Sequence, residues 1–110
     1  VSGAFHSPFM NEPSSKFSEY LKQIKFNNPS FPVISNYEPS LCSDPNELKI
    51  RLEKQMCNGV RWRETMDLMA KDSDLHIVEI GPSNVLSGLV KRHLKDVKIS
   101  QVSSSDQISY

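Results

Sequence analysis

Apolar residues recur along the chain with helical spacing in some stretches and as short unbroken runs in others. Phe17, Tyr20, Leu21 and Ile24 fall three and four apart, with Lys16, Glu19 and Lys22 on the other faces, which predicts a half-buried surface helix. Asn11-Glu12-Pro13-Ser14-Ser15 opens that helix with proline near the first turn, and Asn27-Asn28-Pro29 closes it. Phe31-Pro32-Val33-Ile34-Ser35 is an apolar run bounded by turn residues and predicts a short buried strand. Leu48, Leu52 and Met56 stand at i, i+4 and i+8. Their helix is predicted to start at Asp44-Pro45-Asn46-Glu47, with an aspartate cap, proline at the first helical position and glutamate three residues after the cap. Asn58-Gly59 is expected to end it in the left-handed conformation that both residues tolerate.

A further helix carries Trp62, Met66 and Met69 on one face, where methionine fills a core. Leu75-His76-Ile77-Val78-Glu79-Ile80 is nearly continuous and apolar, as in a parallel strand covered on both faces. It runs into Gly81-Pro82-Ser83-Asn84 and a helix with Leu86, Leu89, Val90 and His93 along one side. Val97 and Ile99 alternate with Lys98 and Ser100 as a last short strand, and Ser103-Ser104-Ser105-Asp106 resembles a helix cap. Strands alternating with helices in this order predict an α/β layer with parallel strands.

The length of 110 residues suits one domain. Lys+Arg and Asp+Glu are 13 each, so the formal net charge is zero and no electrostatic steering toward nucleic acid or an anionic membrane is expected. A hydrophobic content of 37% and a mean hydropathy of −0.45 are lean for a self-sufficient core. No apolar run approaches a membrane span, and the first residues lack the pattern of a signal peptide. Cys42 and Cys57 fit neither a CxxC pair nor a zinc pattern with His76 or His93; two reduced thiols are expected.

Candidate chemistry concentrates in Val1-Ser2-Gly3-Ala4-Phe5-His6-Ser7-Pro8-Phe9-Met10. Pro8 disfavours helix at Ser7, and Gly3 permits a turn ahead of the histidine. His6 is therefore expected on a loop, where functional side chains concentrate, and imidazole can take and return a proton near neutral pH. A solvated or structurally bonded histidine is the alternative. Gly81-Pro82-Ser83 opens a helix after a strand, as an anion cradle does. It lacks the spaced glycines of a nucleotide site, and its proline removes an N–H, so a structural turn is the expectation. Glu79 has no second acid at an obvious pairing distance and is expected to be a buried or rim carboxylate. His76 and His93 are expected to be packed or solvated.

The decapeptide around His6 closely resembles the histidine segment of malonyl-CoA:acyl carrier protein transacylases and the related acyltransferase domains of polyketide and fatty-acid synthases. Three further segments resemble the family in order and spacing. Phe31 to Asn36 is similar to its short strand ending in Ser-Asn. Gln55-Met56-Cys57-Asn58-Gly59-Val60-Arg61-Trp62 is similar to its Gln-Leu-x-x-Pro-Val-x-Trp, with Gly59 where proline is usual. Val78 to Leu86 is similar to its Glu-Val-Gly-Pro-Gly-x-x-Leu, with Ser83 replacing the second glycine.

The resemblance implies that His6 is the base of a Ser-His dyad and that Gln55 completes the catalytic site, its main-chain carbonyl accepting the Nδ1 proton. It implies ping-pong transfer of malonyl from coenzyme A to acyl carrier protein in fatty-acid synthesis, with the coenzyme A thioester as substrate and no cofactor or metal. Phe5, just before the histidine, is expected to favour malonyl over the branched methylmalonyl. Residues 1–110 would then be the C-terminal portion of an α/β-hydrolase-like acyltransferase subdomain, inactive by itself, without the nucleophile half and the small ferredoxin-like subdomain. Neither a Gly-x-Ser-x-Gly elbow nor the family's Gly-Gln-Gly segment occurs in the chain, and Arg51, Arg61, Arg63 and Arg92 do not match the family's carboxylate-binding arginine. The expected location is bacterial cytoplasm, or a mitochondrial or plastid matrix. The rival readings are an acyltransferase piece of a polyketide synthase, and a non-catalytic α/β module that docks carrier protein through Lys91, Arg92 and Lys95. A Gly-x-Ser-x-Gly elbow upstream would separate enzyme from module.

Overall fold

The computed structural model describes residues 4–108, and the chain divides into two compact units between Thr65 and Met66. In the first unit a 3₁₀ turn, Pro8–Met10, leads into α1, Asn11–Leu21. Leu21 is its buried residue, while Tyr20 and Ile24 are exposed, and the helix stops ahead of the predicted Asn27-Asn28-Pro29 boundary. α1 packs on α2, Pro45–Gln55, and Ser14 Oγ donates to Glu53 O at 3.4 Å.

Two expectations for this unit are corrected. Phe31 to Ser35 forms no strand: Val33 makes a single antiparallel bridge with Cys42, two N–H···O bonds of 2.9 Å. Pro32 has no N–H to extend a ladder, and Phe31 is 72% exposed. At the start of α2, the Asp44 carboxylate accepts from Asn46 N–H at 2.9 Å as expected of a cap. Glu47 does not reach back to complete a capping box; it turns instead to Arg51 one turn on, at 3.4 Å.

Arg51 is the buried residue of α2, only 6% exposed. Its guanidinium donates to Ser40 O at 2.8 Å and Ser40 Oγ at 2.9 Å, and also meets Glu38 Oε2 at 3.3 Å. The two terminal nitrogens of the fork thus hold the 38–40 segment against the helix, while Nε serves Glu47. Leu48 and Leu52, of the apolar stripe, line an open groove of about 390 Å³ with Phe26, Val33 and Ile34. α3, Trp62–Met69, starts where Arg61 N–H donates to Asn36 O at 3.0 Å.

The second unit is a β-α-β arrangement. β1, His76–Ile80, and β2, Lys98–Val102, pair in parallel from His76↔Lys98 to Ile80↔Val102, and α4, Val85–His93, connects them. Parallel strands need a crossover of this kind. Val90 is its most deeply buried residue, and α4 packs on β2. β1 is not covered on both faces as expected: Ile80 is 82% exposed and Val78 is exposed too. A two-stranded sheet with one packed helix leaves the other face bare. After β2, a 3₁₀ turn at Ser105–Gln107 stands where the cap pattern was read, and Gln107 Oε1 accepts from Ser103 N–H at 2.6 Å and Ser104 N–H at 3.3 Å. Among the described residues no helix is long and apolar enough to cross a membrane.

Candidate active site

The C-terminus of α2 leaves its last carbonyls without partners in the helix. Three of them are capped from outside it. Lys54 O accepts from the Asn58 side-chain amide at 2.6 Å and from Cys57 N–H at 3.3 Å. Gln55 O accepts from His6 Nδ1 at 2.9 Å and from Asn58 N–H at 3.3 Å, and Met56 O accepts from His6 N–H at 2.9 Å. The left-handed residue expected at Asn58-Gly59 does not occur there: among the described residues only His6 (φ 65°), Asp96 (φ 59°) and Gly81 (φ 148°) have positive φ. This helix ends on a side-chain amide and a histidine rather than on an αL cap.

His6 is grasped at two points by consecutive carbonyls. A left-handed backbone costs an L-residue about 1–2 kcal/mol, and at His6 it turns N–H and imidazole toward the same helix end. Such strain collects at functional sites. Gly3, to which the sequence assigned a turn, lies outside the described residues. The loop is further held by Ser7 Oγ donating to Ala4 O. Because a carbonyl only accepts, the proton between His6 and Gln55 belongs to Nδ1. In the neutral ring Nε2 is then the acceptor nitrogen, on an exposed side chain. The backbone carbonyl of Met56 had no signal in the sequence beyond its place at a helix end.

Phe5 is 56% exposed beside His6. Glu79 stands apart from this constellation. Its carboxylate, 8% exposed, accepts from Ser87 Oγ at 2.6 Å, Ser87 N–H at 2.9 Å and Leu86 N–H at 3.2 Å. The hydroxyl and amide of Ser87 hold its pKa below the usual 4.5, against the opposing effect of burial. The N-terminus of α4, which suits an anion, is thus filled by the chain's own carboxylate, and Gly81-Pro82-Ser83 is a structural turn. His76 Nε2 lies 2.9 Å from Ser100 Oγ, and His93 Nε2 lies 2.7 Å from Asp67. Cys42 and Cys57 are free thiols, and no group of metal-ligating side chains occurs among the described residues.

No protein-family model matches the chain. Curated relatives do. The malonyl CoA-acyl carrier protein transacylase of Synechocystis is 40% identical over 109 residues, 99% of this chain and 37% of its own length. The polyketide biosynthesis malonyl CoA-acyl carrier protein transacylase PksC of Bacillus subtilis is 38% identical over 89% of this chain and 34% of its own length. The malonyl CoA-acyl carrier protein transacylase of Staphylococcus aureus is 32% identical over 98% of this chain and 35% of its own length. Among solved structures, the Synechocystis transacylase superposes with a TM-score of 0.90 at 42% identity, over 96% of this chain and 36% of that one. A malonyl-transacylase in complex with a type II polyketide acyl-carrier protein superposes with a TM-score of 0.87 at 30% identity, over 96% of this chain and 34% of that one. The chain therefore spans a little over a third of the length of its relatives. With nearly every residue aligned and the fold shared, it belongs to the malonyl-CoA:acyl carrier protein transacylase family.

Proposed function

We propose that this chain supplies the general-base half of a transacylase that moves malonyl from coenzyme A to acyl carrier protein. The observation that carries the reading is the 2.9 Å contact between His6 Nδ1 and Gln55 O. It holds the imidazole in one tautomer, with Nε2 able to take a proton, which is the requirement for a base beside a hydroxyl or thiol nucleophile. Nε2 would remove the proton of a serine as its oxygen attacks the malonyl thioester, and return it to the departing coenzyme A sulfur. In the second half, the carrier protein's thiol would lose its proton to the same nitrogen as its sulfur attacks the malonyl-serine ester, and that proton would pass to the serine oxygen as the ester bond breaks. The carbonyl end of α2 carries partial negative charge and suits a ring that becomes a cation between the two transfers. These steps need only acyl transfer and proton transfer, with the coenzyme A thioester as substrate and no cofactor.

The serine comes from outside these 110 residues, which contain no Gly-x-Ser-x-Gly elbow. Phe5, beside the base, would face the acyl group. Lys91 and Arg92, exposed in the last turn of α4, and the exposed Lys95 just after it are cations that would suit an acidic carrier protein. The 38% identity to the Bacillus polyketide enzyme supports a second reading in which the malonyl is destined for polyketide rather than fatty-acid synthesis. The chemistry at His6 is the same in both. The test is His6→Ala in the whole enzyme. Malonyl transfer, followed by mass spectrometry of the carrier protein, should fall by ~10²–10⁴-fold, in both enzyme acylation and transfer onward. Turnover near that of the unaltered enzyme would make His6 a structural loop residue.

A further inference from the structure

The Gln55 side chain is placed as unusually as its carbonyl. Its Nε2 donates to Asn58 O at 3.0 Å and Gly59 O at 3.3 Å, back across the turn that follows α2. The amide orientation follows from these partners, since an oxygen in that place would face two carbonyls. Nε2 also lies 3.4 Å from His6 Nδ1. With Nδ1 protonated toward Gln55 O, that approach sets donor against donor, so the bonds of Nε2 run to the turn. The Gln55 Oε1 atom is buried without a hydrogen-bond partner.

We infer that the Gln55 side chain is a positioning residue for His6: by clasping the 58–59 carbonyls it fixes the turn, and so the direction of the carbonyls that hold the imidazole. A carbonyl belongs to every residue type, so the backbone contact by itself gives no reason for glutamine at this position. The side chain does, because its two N–H donors fit two carbonyls of the turn that follows the helix, Asn58 O and Gly59 O. The Asn58 amide works in the same direction from the other side, by capping Lys54 O. Together they tie three consecutive carbonyls, 54, 55 and 56, into one arrangement, two of which hold the histidine. An unpaired buried Oε1 is a cost the site bears for that orientation.

This inference rests on His6 being the base, and its test separates the two. Gln55→Met keeps length, volume and backbone carbonyl while removing both N–H donors. In the whole enzyme labelled with ¹⁵N in histidine, the ring nitrogen shifts of His6 report which nitrogen carries the proton. The unaltered enzyme should show the Nδ1–H form, and Gln55→Met should move the population toward Nε2–H, with kcat falling by ~10–100-fold and KM for malonyl-CoA near its original value. An unchanged His6 tautomer and kcat in a folded Gln55→Met enzyme would overturn the inference and leave the base assignment standing. Where that variant does not fold, the unaltered enzyme decides. Slow hydrogen exchange of the Gln55 side-chain amide supports the clasp; exchange at the rate of a solvated amide overturns it.

Discussion

Glu79, next to last in β1, accepts the hydroxyl of Ser87 at 2.6 Å across the turn that joins β1 to α4. One carboxylate so closes the strand, caps the helix and occupies the site where an anionic ligand would bind. The ion is favoured in the folded state, chiefly by the Ser87 hydroxyl, so its folded pKa lies below the value of about 4.5 it has when unfolded. Stability from this group is therefore fully present above that unfolded value and is lost as pH falls through the folded one. Denaturation midpoints of the unaltered protein should decline on the acid side. Glu79→Gln should lower the midpoint at neutral pH and flatten that decline; an acid limb of unchanged slope would sink the argument.

Arg51 is a buried cation serving two partly exposed carboxylates and the Ser40 carbonyl and hydroxyl. Arg51→Met keeps the aliphatic stem but strands those acceptors. It should cost about 2–4 kcal/mol in denaturant unfolding. A loss under about 0.5 kcal/mol, the level of an ordinary surface change, would show that the 38–40 segment is held by something else.

Phe5 is proposed to limit the room beside the acyl group. In the whole enzyme Phe5→Ser should raise use of methylmalonyl-CoA relative to malonyl-CoA by roughly tenfold, since one methyl in a fitted pocket is worth ~1–3 kcal/mol. The ratio of the two specificity constants measures it. An unchanged ratio would return Phe5 to packing of the loop.

Lys91, Arg92 and Lys95 should act on carrier protein and not on coenzyme A chemistry. Reversing all three to glutamate should raise KM for carrier protein several-fold, steeply at low salt and weakly at high salt, with acylation by malonyl-CoA unaffected. Equal loss in both half-reactions would place the defect elsewhere.

The 110-residue chain assayed by itself should transfer no malonyl to carrier protein, because a base contributes only by activating a nucleophile. Measured turnover by the purified chain would mean that one of its own hydroxyls or thiols takes the acyl group.

Much of the fold is legible in local order. The spacing of Phe17, Tyr20 and Leu21, the Asp44-Pro45 start and the β-α-β run from His76 to Val102 are short-range signals, and periodicity with caps carries them. The expected strand at Phe31 to Ser35 failed because a strand needs a partner along its length, and Cys42 pairs with Val33 only. Arg51 enters the sequence reading only as an arginine that does not match the family's carboxylate-binding one; nothing in its neighbours along the chain says that Ser40 and Glu38 fold over it. Glu79 and the Gly81 turn were read as separate features, and only the fold turns the carboxylate onto the helix that begins after the turn.

The site divides the same way. Sequence alone determined that His6 lies on a loop ahead of a helix and, through the family's motif, that Gln55 is its counterpart. Tertiary structure alone decided that the histidine takes the left-handed backbone and that Met56 O joins Gln55 O in holding it. It also decided that the Gln55 amide turns back on Asn58 and Gly59. The reason is physical. Helical periodicity and capping act over three or four residues, whereas His6 and Gln55 are 49 apart in the chain, and the carbonyls that orient an imidazole belong to the backbone, which every residue shares.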